Sequence, residues 1–114
     1  MNISILVGEI VAELKSTRKN ERDYYSTLVK VRRDFKNQLG EETYDIIPIL
    51  FWEGVSTKFA TEQLVKGVLV SVRARLSNFV TKNADGAFNS NVSIIAEKIT
   101  ILPQNNSHDE APIE

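Results

Sequence analysis

Cysteine is absent from this 114-residue chain, histidine and tryptophan occur once each, and proline three times. Each scarcity closes off chemistry. Without cysteine there is no disulfide framework, thiolate zinc site or cysteine nucleophile. With His108 as the sole histidine, near the C-terminal end, neither a histidine-based triad nor a multi-histidine metal site can be assembled. No run approaches the ~18 apolar residues of a membrane span, and Met1-Asn2-Ile3 does not open a signal peptide. A glycine-rich phosphate loop is also missing. Paired carboxylates exist, Glu41 and Glu42, but they stand on a polar loop where adjacent acids are ordinarily solvated. No enzyme, no metal and no cofactor is expected, and the location expected is cytoplasmic.

What is present describes an ordinary globular chain. Its length suits one domain of about 100–150 residues, large enough to bury roughly two-thirds of its unfolded surface without staples. Apolar residues make up 42% and charged residues 25%. The net charge of −1 hides a split. Residues 1–103 hold all 14 basic and 12 of the 15 acidic residues, a net +2; residues 104–114 add Asp109, Glu110 and Glu114.

Ile3 to Leu14 is rich in β-formers, with Gly8 inside it, the mark of a bulge or a barrel corner. Lys15 to Asp23 has no apolar residue and reads as a solvated connection. Tyr24 to Arg33 alternates with a period of two, Tyr25, Thr27, Val29 and Val31 forming the more apolar face. A polar loop, Phe35 to Glu42, leads to a strongly apolar strand, Tyr44 to Trp52. Pro48 interrupts that strand and should face an edge or a bulge. Gly54 to Lys66 lacks alternation and ends in Lys66-Gly67, a helix terminus. Val68 to Thr81 alternates cleanly, with Val70, Val72, Ala74 and Leu76 inward; Asn83-Ala84-Asp85-Gly86 signals a hairpin, and Asn89 to Leu102 closes the fold before Pro103. The expectation is an all-β protein with one helix: a five-stranded antiparallel barrel of the oligonucleotide/oligosaccharide-binding (OB) type, the helix between strands three and four. The domain spans 1–103 and a short acidic disordered tail 104–114.

Binding a single nucleic-acid strand needs cations for phosphates and aromatic faces for unstacked bases. Strand parity sends Lys30 and Arg32, and Arg73, Arg75 and Phe79, away from the interior. Phe35, between Asp34 and Lys36 on a polar loop, is hard to bury. Trp52 shares its parity with Ile46, Pro48 and Leu50, opposite the core set Ile47, Ile49 and Phe51. That strand is apolar on both faces, so one face needs nucleic acid or another subunit.

The segments ILVGEI, RRDFKNQLGEETYDIIPILFW, KGVLVSVRARL, TKNADG and SIIAEKITIL stand in nearly gap-free order across residues 1–102. In that order the chain resembles bacterial-type single-stranded DNA-binding proteins, as a short, divergent member. The resemblance implies an OB barrel that assembles as a homotetramer, nucleoid-associated, serving replication, recombination or repair. It implies stacking at Phe35 and Trp52 and phosphate contacts at Arg33, Lys36 and Lys66. Glu9, Ile46 and Thr81 depart from positions that are basic, aromatic and aromatic in the family; Phe79, on the face of Thr81, is the expected substitute. The linker before the acidic tip is nearly absent, and the tip only loosely matches the one through which relatives contact DNA-processing proteins.

Two classes of function follow. The first is a binder of single-stranded DNA without sequence preference, its phosphates held by Lys30, Arg32, Arg33, Lys36, Lys66, Arg73 and Arg75. The second is a protein-interaction or oligomerisation module with a degenerate nucleic-acid face, which Glu9, Ile46, Thr81 and the near-neutral charge favour.

Overall fold

The chain forms six strands: β1 (Ser4–Ile10), β2 (Lys15–Lys19), β3 (Arg22–Arg32), β4 (Tyr44–Trp52), β5 (Leu69–Lys82) and β6 (Phe88–Ile101). The structure, a computed structural model, describes residues 1–54 and 63–103, and only the backbone of Phe79. The expected helix over 54–66 falls mainly on 55–62, and the expected tail on 104–114; both lie outside the described residues. Among the described residues no helix is long and apolar enough to cross a membrane.

All pairings are antiparallel except one parallel contact, Leu50↔Ile95, between β4 and β6. β1 pairs with β5, β5 with β6, β6 with β4 and β4 with β3. Glu9↔Lys30 and Ile10↔Val29 then join β1 to β3, so five strands close a circuit. Gly8 permits that closure, because a Cβ there would overlap the carbonyl oxygen of Lys30. Pro48 stands opposite Leu28 of β3, on a stretch of β4 with no register partner on β6, which suits a residue with no N–H to donate.

Inward parity forms the core: Ile10, Val29, Ile49, Phe51, Val70, Val72, Ala74 and Ala96 are buried, and Leu64 joins them from the segment before β5. Thr27 is the buried polar residue among them. Its hydroxyl donates to the carbonyl of Ala12 at 2.8 Å, tying the segment after β1 to β3.

Two expectations are corrected. Residues 15–23 are a β-hairpin and no mere connection. β2 is exposed at every position, so it carries no apolar alternation to announce it; five backbone pairs hold it to β3. Asn20 (φ 53°) and Glu21 (φ 65°) are both left-handed, as a two-residue hairpin turn of type I′ requires. Leu76 is 47% exposed despite its core parity. The β1 ladder ends at Ser4↔Ala74, after which β5 pairs with β6 alone, so the inward face has no third layer behind it. The side chain of Asn2 extends the ladder one step, accepting from the Leu76 N–H at 2.9 Å and donating to its carbonyl at 2.7 Å.

Candidate nucleic-acid interface

The outer face of the β3–β4 pair is written by register: Tyr24↔Trp52, Ser26↔Leu50, Leu28↔Pro48, Lys30↔Ile46 and Arg32↔Tyr44. Parity put all ten outward, and an apolar and aromatic surface results. At one end, Tyr24 and Trp52 stand with ring centroids 5.0 Å apart and planes inclined by 54°. Trp52 is 38% exposed. Beneath this pair, Tyr25 stacks on buried Phe51 at 5.4 Å, so the platform rests on the core. The guanidinium of Arg22 lies 5.7 Å from the Trp52 ring centre. At the other end, Lys30 Nζ sits 4.2 Å from the centroid of Tyr44.

Phe35 is 67% exposed on the loop after β3. Asn37 shapes that loop: its Oδ1 accepts from the N–H groups of Leu39 and Glu41, both at 2.9 Å. Its Nδ2 donates to Glu41 at 3.0 Å, and Gly40 takes φ +80°. Lys36 is exposed beside Phe35.

Four of the seven anticipated phosphate cations already hold carboxylates. Arg32 meets Glu42 at 3.5 Å. Arg33 donates through Nε and Nη2 to one oxygen of Asp45, at 3.0 and 2.7 Å. That hydrogen bond, with the charge of Asp45 behind it, pushes the Arg33 guanidinium further above its already high pKa. Arg73 and Arg75 share Glu97, at 3.9 and 3.4 Å. The register of β5 against β6 steps between Arg73↔Lys98 and Ala74↔Ala96, leaving Glu97 as the extra residue of a bulge. Lys66 is exposed on the turn before β5, near Glu13 and Leu14.

Parity alone would gather these cations on one face, but the topology divides them. Lys30 and Arg32 lie on β3, Arg73 and Arg75 on β5, with β6 and β4 between the two strands on one path round the circuit and β1 on the other. Phe79 pairs through its backbone with Asn91, in the arm beyond the circuit.

Sequence reading missed Tyr24, Lys19 and Arg22 beside Trp52. Tyr24 carried a signal, since it shares parity with Lys30 and Arg32. The hairpin residues carried none except Asn20, a common left-handed turn residue.

The single-strand binding protein family matches residues 1–102 of this chain. Single-stranded DNA-binding protein 3 of Streptococcus agalactiae serotype V is 30% identical over 112 residues, covering 96% of this chain and 80% of that protein. The single-stranded DNA-binding protein of Streptococcus mutans is 32% identical over 104 residues, 90% of this chain and 62% of its own length. The fold is shared with the single-stranded DNA-binding protein of Plasmodium falciparum, solved in complex with single-stranded DNA. The TM-score is 0.71 at 15% identity, over 90% of this chain and 96% of that one. A match over nearly the whole described fold settles the relationship: this chain belongs to the single-strand binding protein family.

Proposed function

We propose that this chain binds single-stranded DNA without sequence preference, through an OB barrel in residues 1–103, in replication, recombination or repair at the nucleoid. The observation that carries the reading is the half-exposed Trp52, paired with Tyr24 on a rigid strand and bordered by cations. Every base has a π-face, so such a platform accepts any sequence. Bases stack on Trp52 and Phe35, and on Phe79 where the strand follows the β5–β6 arm. Lys30, Lys36 and Lys66 meet phosphates directly. Arg32, Arg33, Arg73 and Arg75 do so by exchanging exposed carboxylate partners, which surface pairs release readily.

The chain acts as a homo-oligomer, a tetramer as the family resemblance implies. Ile3, just before β1, and Ile5 and Val7 on it are exposed, and Ser4–Val7 pairs with β5 alone. Residues 104–114 follow the barrel as a short acidic tail, with at most weak contacts to DNA-processing proteins.

Trp52 is the sole tryptophan, so intrinsic fluorescence titrated with oligo-dT reports on it alone. Quenching that salt reverses is expected. No quenching together with no gel shift at low salt would overturn the proposal. The four paired arginines favour a second reading, an oligomerisation module, for which Trp52→Ala would lower the oligomeric state.

A further inference from the structure

The β2–β3 hairpin breaks a local rule. Lys19 and Arg22 are opposite each other in register at its turn, and like charges so placed destabilise a sheet. Between them Glu21 holds a left-handed φ of 65°, which a residue with a side chain adopts at a cost. On the reverse face Arg18 is neutralised by Asp23 at 3.0 Å. Among the described residues, Lys15, Lys19 and Arg22 form no ion pair.

These three cations share a face with the aromatic platform. Register sets Lys15 against Ser26, Thr17 against Tyr24 and Lys19 against Arg22, and Tyr24 against Trp52. Lys19, Tyr24, Leu50, Phe51, Trp52 and Ile95 line a pocket of about 190 Å³ with mostly apolar walls. A flat aromatic wall with an unneutralised ammonium and guanidinium at its rim is complementary to a nucleotide: a π-face flanked by anions.

We propose that Lys19 and Arg22 clamp the phosphates on either side of the nucleotide whose base lies against Trp52 and Tyr24, with Lys15 extending the track. The inference rests on the single-stranded DNA reading above and assigns it residues outside the segments that carried the family resemblance. The anion supplies the compensation that the Lys19–Arg22 pair lacks among the described residues. Arg22 turns from the Trp52 ring to a phosphate as the base takes its place.

The test is a salt series of oligo-dT titrations, read by Trp52 fluorescence and by anisotropy of a labelled oligonucleotide. For the Lys19→Ala, Arg22→Ala double variant, the log–log salt slope should fall by about 1.4, at about 0.7 per phosphate released. Affinity at low salt should fall about tenfold, as for loss of a charge-assisted contact. The Lys19→Arg, Arg22→Lys variant should keep the wild-type slope. Lys19→Glu serves as the control for folding, since a carboxylate opposite Arg22 supports the hairpin while removing the clamp; its slope should fall as well. An unchanged slope in Lys19→Glu or in the double alanine variant overturns the clamp. Failure of the wild type itself to bind oligo-dT overturns the DNA reading, a separate outcome.

Discussion

Tyr24 and Trp52 are opposite each other across the β3–β4 pair, their ring centroids 5.0 Å apart and their planes tilted by 54°. Neither ring is free to collapse inward, because Tyr25 and Phe51 occupy the core side of the same two strands. The pair is therefore a fixed surface against which a base can be laid without reordering the protein. Trp52→Ala should weaken oligo-dT binding by ~1–3 kcal/mol, the usual contribution of a stacked base. Tyr24→Ala should cost about 0.5–1.5 kcal/mol through loss of the aromatic pair. Isothermal titration at fixed salt measures both.

Glu97 restrains two guanidiniums at once because the β-bulge leaves it unpaired between Arg73 and Arg75. Glu97→Gln should free both and steepen the salt dependence of DNA binding by about 0.7–1.4 in log–log slope. Arg73→Ala should flatten the salt dependence by up to about 0.7, since Arg73 meets a phosphate by exchanging its exposed partner Glu97. Anisotropy across a salt series checks the pair.

The core depends on a few large side chains. Phe51 is fully buried and supports the platform from below. Phe51→Ala should destabilise the fold by about 3–5 kcal/mol, the transfer term plus the cavity left behind. Gly8→Ala should cost about 1–3 kcal/mol by overpacking, because the added methyl meets backbone of β3 rather than a side chain that can swing aside. Urea unfolding followed by circular dichroism reports both.

Ile5 is 66% exposed on β1, so it stabilises the isolated chain little. Ile5→Glu should reduce the proposed homo-oligomer to a smaller species in light scattering while leaving the fold of each chain intact. Retention of the wild-type mass would remove β1 as the contact surface.

Raised pKa at Arg33 adds no pH dependence at working pH. Its folded-state pKa lies above the unfolded value, so the stability it contributes is complete below the unfolded pKa and lost only as pH rises through the folded one. Unfolding midpoints between pH 6 and 9 should not change on account of Arg33→Lys, which keeps the charge.

Alternation along residues 24–33 and 68–75 was readable because one face of each strand is buried against the others. Burial forces apolar residues onto a single parity. Residues 44–52 are apolar on both faces, and there Phe51 was placed inward and Trp52 outward by sharing parity with Ile47 and Ile49 or with Ile46 and Leu50. The β2 strand was not readable, since a ribbon exposed on both faces imposes no pattern. Leu76 misled because parity states which side a residue faces and not whether anything stands there; the β1 ladder ends two residues earlier.

Composition and periodicity settled the all-β class, most of the strand bounds, the core positions Val29, Ile49, Phe51, Val70, Val72 and Ala74, and the outward aromatic on β4, each a property of one strand and its two faces. Tertiary structure decided which charges remain available. Ion pairs such as Arg73 and Arg75 with Glu97 depend on register and on a bulge, and the Lys19–Arg22 juxtaposition depends on a two-residue turn. Those are distances between strands, and electrostatic interaction is set by distance and exposure rather than by order along the chain.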